Sequence, residues 1–197
     1  MLGFGSDNPT NAIELLKSDH DEVEKLFDQY EDAREESNAE LKGQIVAMLC
    51  KALTVHAQIE EELFYPAVHK DIDDVSDLVD EATVEHHLVR MLVEELESAA
   101  PDDLLYDAKV KVLSEYVKHH VREEEGELFP LARRSEIDLD ALGLQLMARK
   151  EALATQTKAR RRTRNGTPKP ADAPKTASAR GGAAKTGARK ATAHGRH

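Results

Sequence analysis

The sequence predicts an all-α protein: an up-down-up-down four-helix bundle with a short fifth helix and a disordered C-terminal tail. Residues that favour helix, chiefly Ala, Leu, Glu, Lys and Val, dominate the chain before residue 160, where Gly and Pro are sparse. Four stretches of this region carry apolar residues at alternating steps of three and four, which is the seam of a packed helix. The connections between the stretches are short, and short connections favour antiparallel neighbours.

Caps and prolines mark the expected ends of these helices. Asn is a good N-cap and Pro suits a first turn, so the first helix is expected to begin near Asn8 and Pro9. Proline lacks the N–H that a helix interior needs, so Pro66 and Pro130 are expected to end the second and fourth helices. The other expected limits are residues 39–65 for the second helix, about 75–98 for the third, Pro101 to Pro130 for the fourth and about 137–157 for the fifth.

The fifth helix and the tail complete the expected organisation. The fifth helix has four leucines with which to pack across the outside or the end of the bundle, giving one domain over residues 1–157. Residues 158–197 consist mainly of Ala, Lys, Arg, Thr, Gly and Pro and contain no large apolar residue. Such a segment buries too little surface to offset the entropy of ordering, so it is predicted to be disordered.

Charge divides the chain at nearly the same place. The net charge is −11, but residues 155–197 hold twelve Lys or Arg and one acidic residue, about +11, which leaves about −22 on residues 1–154. A basic segment of this kind binds polyanions by counterion release. Non-specific contact with nucleic acid, or with the acidic bundle of another copy, is therefore one expectation for the tail, and a plain solubilising role is the other.

The chain has no sign of a membrane or secretory segment. No apolar run approaches the roughly 20 residues of a membrane helix, and the first residues lack a basic region followed by an apolar one. We therefore expect a cytoplasmic protein. Cys50 is the only cysteine, which excludes a disulfide within the chain and argues against a cysteine-based iron–sulfur or zinc site.

One histidine lies in the apolar seam of each predicted bundle helix. Two of them precede a glutamate by four residues, and residues four apart share one face of a helix. A proline follows each of these two histidines after ten residues, and residues near 12–66 align with residues near 78–130 as an internal repeat. Two facing hairpins would then bring six groups to one centre: His20, His56, Glu60, His86, His120 and Glu124.

Six such groups at one level of a core indicate metal binding. A histidine on an apolar face, taken alone, is more often a hydrogen-bonded core residue than a ligand. Two buried carboxylates beside four imidazoles, however, would be very costly without cations to compensate their charge. Imidazoles and carboxylates without a thiolate suit iron, manganese or zinc. A bridging pair of glutamates favours two redox-active irons, whereas structural zinc prefers a closed site of four ligands.

These residues resemble the hemerythrin-like, or HHE cation-binding, domain family. The resemblance lies in DHDEVEKLF, HAQIEEELFYP, EHHLVRMLVEEL and HHVREEEGELFP and covers about residues 8–157. It implies a four-helix bundle around a non-haem di-iron centre with an oxo or hydroxo bridge. By position it implies that one iron is held by His20 and His56, the other by His86 and His120, and both by Glu60 and Glu124.

One position departs from the oxygen-carrying members of that family. They have a second histidine one turn after the third-helix ligand, where this chain has Arg90. Loss of that histidine leaves both irons under-coordinated unless water or a side chain such as Glu24 completes them. We therefore expect a catalase-like or peroxidase-like reaction that consumes peroxide or another oxidant, rather than reversible oxygen carriage. Binding or sensing of dioxygen, nitric oxide or iron, and iron storage, are the alternatives.

Neighbours of the six groups are candidates for supporting roles. Glu61 and Glu125 could orient the histidines by hydrogen bonds without binding the metal themselves, although a solvated acidic face explains them equally well. His87 and His119 point about 100° off the seam, so a surface or supporting role is expected for each. A slipped register, with His119 and Glu123 inside the bundle, is disfavoured by the apolar seam and by the shared distance to proline.

Overall fold

The computed structural model of the protein describes residues 11–165, and their regular structure is helical throughout. Two π-helical segments, π1 and π2, interrupt the second and the fourth helix of the bundle. The predicted tail beyond residue 165 lies outside the described residues. The elements are α1 Ala12–Glu35, α2 Ala39–Ile59, π1 Glu60–Phe64, α3 Tyr65–Asp71, α4 Ser76–Ser98, α5 Tyr106–Glu123, π2 Glu124–Leu128, α6 Phe129–Arg134 and α7 Leu139–Asn165.

The predicted four-helix bundle is confirmed, and α1, α2, α4 and α5 form it. Helix α1 packs against α2, α4 against α5, and α2 against α4. Helix α7 packs on the outside, against α1, α2 and π1. It is longer than predicted, because it continues past residue 157 to Asn165. Between residues 11 and 165, no helix combines the length and the apolar composition that crossing a bilayer requires.

Helix α1 begins later than its cap signal predicts. Its first residue is Ala12, not a residue near Asn8 and Pro9. Asn11 is the N-cap, and its side-chain oxygen accepts a hydrogen bond of 3.1 Å from the N–H of Ile13. The rule that Asn caps a helix therefore holds, but it applies to the second Asn of the segment.

The start of the fourth bundle helix is also later than predicted. Helix α5 begins at Tyr106, whereas Pro101 was expected to open it. The Asp103 carboxylate accepts a hydrogen bond of 2.9 Å from the N–H of Ala100 and so closes a turn upstream of the helix. An acidic side chain that bonds to a local backbone N–H offers the chain an alternative to helix.

Neither Pro66 nor Pro130 ends its helix, which corrects the prediction for both. In π1 the N–H of Tyr65 bonds to the carbonyl of Glu60, five residues back, and π2 has the equivalent bond. After this wider turn each proline falls in the first turn of the next α-helix, where its missing N–H costs little. The helical path therefore continues through α3 and α6.

Two apolar clusters make up the core, and a polar layer separates them. The cluster nearer α7 includes Leu16 and Ile59, and the far cluster includes Leu49 and Leu113, all fully buried. Along α1 the seam histidine lies between Leu16 of one cluster and Val23 of the other, and along α4 it lies between Ala82 and Val89. The polar layer is thus shielded from solvent at both ends by packed aliphatic side chains.

The single cysteine, Cys50, is buried in the far apolar cluster. Cys50 is 1% exposed, and burial raises the pKa of its thiol to about 12. The thiol is therefore protonated and shielded near pH 8, where an exposed cysteine is already partly thiolate. We predict that the native protein does not react with a thiol-disulfide reagent at about pH 8 and that the denatured protein takes up one equivalent per chain. Equal reaction rates for the two states would contradict this.

Candidate metal centre

The structure brings the six predicted residues together in the polar layer, and all six are buried. Nε2 of His20 lies 3.1 Å from Nε2 of His56, and the same distance separates the Nε2 atoms of His86 and His120. Each histidine pair joins the two helices of one hairpin. The predicted pairing along the chain is therefore also the pairing in space.

Each glutamate lies between one histidine of the first pair and one of the second. Oε2 of Glu60 is 3.2 Å from Nε2 of His56 and 3.3 Å from Nε2 of His86. Oε2 of Glu124 has the corresponding distances of 3.3 and 3.5 Å to the other two histidines. The two carboxylates thus connect the hairpins, which is the placement that bridging ligands require.

A second ring of carboxylates faces the other nitrogen, Nδ1, of the histidines. An ionised carboxylate only accepts hydrogen bonds, so an Nδ1 atom bonded to it carries the ring proton and leaves a lone pair on Nε2. Three of these contacts are hydrogen bonds and the fourth is longer. The pairs are His20 with Glu125 at 3.0 Å, His86 with Glu61 at 3.0 Å, His120 with Glu85 at 2.9 Å and His56 with Asp19 at 3.6 Å.

This arrangement fits bound cations. When both Nδ1 atoms hold the ring protons, the two Nε2 lone pairs of a histidine pair face each other at 3.1 Å and repel unless a cation or a shared proton lies between them. Two ligand nitrogens on one ion, each bonded at about 2.0–2.1 Å, stand about 3–3.4 Å apart. Both oxygens of Glu60 and Oε2 of Glu124 are buried without a hydrogen-bond partner. Buried polar atoms are normally paired, so these three oxygens are free for a metal.

The electrostatics of the centre also call for added positive charge. Burial, together with the neighbouring Glu124 carboxylate, raises the pKa of Glu60 well above its ordinary value. Burial opposes ionisation of Glu124 too, but His120 and His20 bring the pKa of Glu124 below its ordinary value. Burial lowers the pKa of His56 to about 4, which keeps that imidazole in the neutral form that binds metals.

The two hairpins differ at the residue that follows each π segment. Tyr65 donates a hydrogen bond of 3.0 Å from its hydroxyl to Oε1 of Glu124, and its ring stacks on His86. Phe129 holds the equivalent place in the second hairpin and stacks on His20, but it has no hydroxyl to offer Glu60. The centre is therefore symmetric in its six candidate ligands and asymmetric in its hydrogen bonds.

Sequence reasoning missed three residues of this site: Asp19, Glu85 and Tyr65. The sequence contains a signal for the two acids, since each directly precedes the candidate ligand on the first helix of its hairpin. That signal is easily misread, because each acid faces the histidine of the next helix rather than its own neighbour. Tyr65 had no comparable signal, because its position depends on the π segment before it.

Glu24, Arg90 and His119 lie outside the centre formed by the six buried residues. Glu24 is exposed, and its carboxylate does not lie among the buried histidine and glutamate ligand atoms of the centre. The guanidinium of Arg90 lies 2.7 Å from Oε1 of Glu61, so it binds a supporting carboxylate rather than the centre. His119 has a side chain that is 53% exposed, whereas His120 is buried, which confirms the predicted register.

A small cavity lies against the four imidazoles. Its volume is about 20 Å³, enough for about one water-sized molecule. A larger pocket of about 650 Å³ opens to solvent between α1 and α5 and shares part of its lining with the cavity. The shared residues are His20, Val23, Val117 and Val121.

Comparisons with known proteins agree with this geometry. Residues 11–132 match the hemerythrin HHE cation binding domain. The crystal structure of a hemerythrin HHE cation binding domain-containing protein from Mycobacterium kansasii, the Rv2633c homolog, aligns with a TM-score of 0.66 and 26% identity, covering 78% of this chain and 93% of that one. A DNA nickase from a Nostoc species is 31% identical over 135 residues, which are 66% of this chain and 36% of the nickase. The chain thus spans about a third of that relative's length.

The family match covers the bundle and all six candidate ligands. The fold is the same as that of the crystal structure, and the paired histidines and buried glutamates supply the donor atoms that a cation-binding domain needs. The chain is therefore a member of the hemerythrin HHE cation-binding domain family.

Proposed function

We propose that the centre binds two iron ions and that the protein consumes peroxide there by disproportionation. The observation that carries the proposal is the placement of each buried carboxylate between histidines of both pairs. It supports two ions, each held by one histidine pair and both bridged by Glu60 and Glu124. Iron is favoured over zinc because imidazole and bridging carboxylate suit a redox-active metal pair.

Two irons held by these six residues would supply the two-electron redox chemistry that peroxide disproportionation requires. Disproportionation needs no further reactant, because one peroxide is oxidised to dioxygen and the other is reduced to water. Three acids outside the ligand set hold imidazole rings in place through hydrogen bonds, and the hydroxyl of Tyr65 donates a hydrogen bond of 3.0 Å to Glu124. The small, mostly apolar cavity favours small oxidants over larger substrates. Cysteine chemistry is not a competing route, because the only thiol is buried and protonated.

The metal content and its effect on stability provide the first test. We predict about two irons per chain in the freshly purified protein. A ligand that binds only the folded state stabilises it by about 4 kcal/mol at a thousand times its dissociation constant. Full chelation is therefore expected to lower Tm by roughly 10 °C for a chain of this size, as measured by calorimetry.

His56→Ala should lose stoichiometric metal, whereas His87→Ala should keep it. His87 is a matched control because it is an exposed histidine next to a candidate ligand. A wild-type protein without stoichiometric metal, or with a Tm indifferent to chelators, would overturn the proposed centre. Well over two ions per chain would favour iron storage instead.

Peroxide turnover tests the reaction itself. We predict that the iron-loaded protein evolves one dioxygen for every two peroxide molecules over many turnovers, as followed with an oxygen electrode. His56→Ala should abolish the activity and His87→Ala should preserve it. If the visible and near-ultraviolet absorption of the iron-loaded protein bleaches after about one equivalent of peroxide, or no dioxygen appears, disproportionation is wrong and reversible binding or sensing of a small oxidant takes its place.

A second candidate function is contact with nucleic acid through the C-terminal residues, supported by their composition and by similarity to a DNA nickase. Residues 166–197 contain seven Lys or Arg and one acidic residue. We expect salt-dependent, sequence-independent DNA binding, because basic segments release counterions from phosphates. This chain corresponds to only part of the nickase, so DNA contact and not strand cleavage is proposed.

Truncation tests the DNA contact. A chain ending at residue 165 keeps the whole of α7 but loses seven of the twelve Lys or Arg of residues 155–197, so it should bind a duplex of random sequence more weakly and with a smaller salt dependence, measured by fluorescence anisotropy. The metal content should not change. Equal binding by the full and the shortened chain would rule the contact out.

A further inference from the structure

The four acids that support the histidines differ in what neutralises them. The second carboxylate oxygen of Glu125 pairs with Lys17, and that of Asp19 pairs with Lys150. Glu61 pairs with Arg90. Each of these three carboxylates therefore has a permanent cation beside it.

Glu85 is the fourth supporting acid, and within residues 11–165 no permanent cation lies beside it. Its Oε2 accepts from Nδ1 of His120 at 2.9 Å, and its carboxylate has no Lys or Arg partner. Its other oxygen, Oε1, lies 3.3 Å from Nδ1 of His119. The same Nδ1 lies 3.5 Å from Oε1 of Glu123, one helical turn further along α5. In place of a fixed cation, Glu85 thus has a histidine and a second carboxylate.

The three donor atoms of this cluster fit a metal ion. The Nδ1 atom of His119 and one oxygen each of Glu85 and Glu123 lie within 4.8 Å of one another. Donors bonded to a tetrahedral ion at about 2.0–2.1 Å stand about 3.3–3.4 Å apart, close to the two measured distances. His119 is half exposed, so the ion could enter from solvent and keep a water on its open side.

Glu85 is held in place before any ion arrives. Its side chain is only 12% exposed, and the hydrogen bond to His120 fixes one carboxylate oxygen and so directs the other to the surface. A donor that is already ordered loses little rotamer freedom when it binds. The i, i+4 spacing of His119 and Glu123 places both side chains on one face of α5.

The first hairpin has no such cluster, and the internal repeat shows why. The positions equivalent to His119 and Glu123 are Val55 and Ile59, which are buried in the apolar cluster that includes Leu146 and Leu153 of α7. Helix α7 also supplies Lys150 to the equivalent acid. Within residues 11–165, helix α7 does not cover the corresponding surface of the second hairpin. His119 and Glu123, whose side chains can bind metals, lie at that surface instead.

We propose that Glu85, His119 and Glu123 form a separate surface site for a divalent transition-metal cation such as Zn²⁺, Mn²⁺ or Fe²⁺. The site is independent of the peroxide reaction. A metal ion bound there would neutralise Glu85, as Lys or Arg neutralises each of the other three supporting acids. Through Glu85 it also shares a carboxylate with His120, so an ion bound at the surface is one side chain away from the buried centre.

Mn²⁺ binding to the full chain, purified with its own metal, tests the proposal. Free Mn²⁺ is measured by electron paramagnetic resonance while the chain is titrated with Mn²⁺ in a buffer that does not bind the ion. The wild type should take up one more saturable Mn²⁺ per chain than His119→Gln or Glu123→Gln. Loss of even an outer-sphere partner weakens metal binding 10–100-fold, so each variant should weaken this site at least about tenfold.

Two matched controls keep the test specific. His87→Gln changes an exposed histidine of the same hairpin, beside the candidate ligand His86, and Glu115→Gln changes an exposed acid one turn before His119. Both should bind Mn²⁺ as the wild type does, and exchange of Mn²⁺ into the buried centre would affect all variants equally. Zn²⁺ should displace the bound Mn²⁺.

Identical Mn²⁺ uptake by the wild type, His119→Gln and Glu123→Gln would overturn the proposal. His119 would then serve only as a polar partner of Glu85 and Glu123. Equal loss in the His87→Gln and Glu115→Gln controls would overturn it as well, because the binding would then be diffuse attraction to an acidic surface. Unchanged melting temperatures would show that every variant is folded.

Discussion

The burial of two carboxylates within one layer of imidazoles is the constraint on which the rest of this protein depends. Glu60 is 0% and Glu124 is 2% exposed, and three of their oxygens have no hydrogen-bond partner. An isolated buried charge costs far more than a typical domain's net stability of 5–15 kcal/mol. The folded state therefore requires protonation of one carboxyl group or the presence of cations. The raised pKa of Glu60 reflects the first solution, and the geometry of the ring nitrogens fits the second.

The π segments connect this constraint to the shape of the bundle. Each begins at a buried glutamate, and the wider turn after it changes which later side chains face inward. Phe64 and Tyr65 are buried as a result, and so are Leu128 and Phe129 in the other hairpin. Aromatic rings then stack on two of the histidines. A local change in helix geometry thus shapes both the centre and the apolar cluster beside it.

The six candidate ligands are arranged symmetrically, but the two hairpins that carry them are covered to different extents. Helix α7 packs over the first hairpin and supplies Lys150 to one supporting acid, whereas the second hairpin keeps its supporting Glu85 near the surface. Two ions at the centre would therefore have similar ligands but unequal access to solvent cations and unequal hydrogen bonds.

The sequence by itself determined the helical class, the internal repeat and the identity and register of the six buried groups. These follow from local periodicity, because positions three and four apart share a helix face whatever surrounds them. The contacts of Asp19 and Glu85 were decided only by the tertiary structure, since each acid meets a histidine from the neighbouring helix. The continuation of the helices through both prolines, and the cover provided by α7, likewise depend on packing between distant segments. No local pattern encodes those distances, because they arise only when the two hairpins face each other.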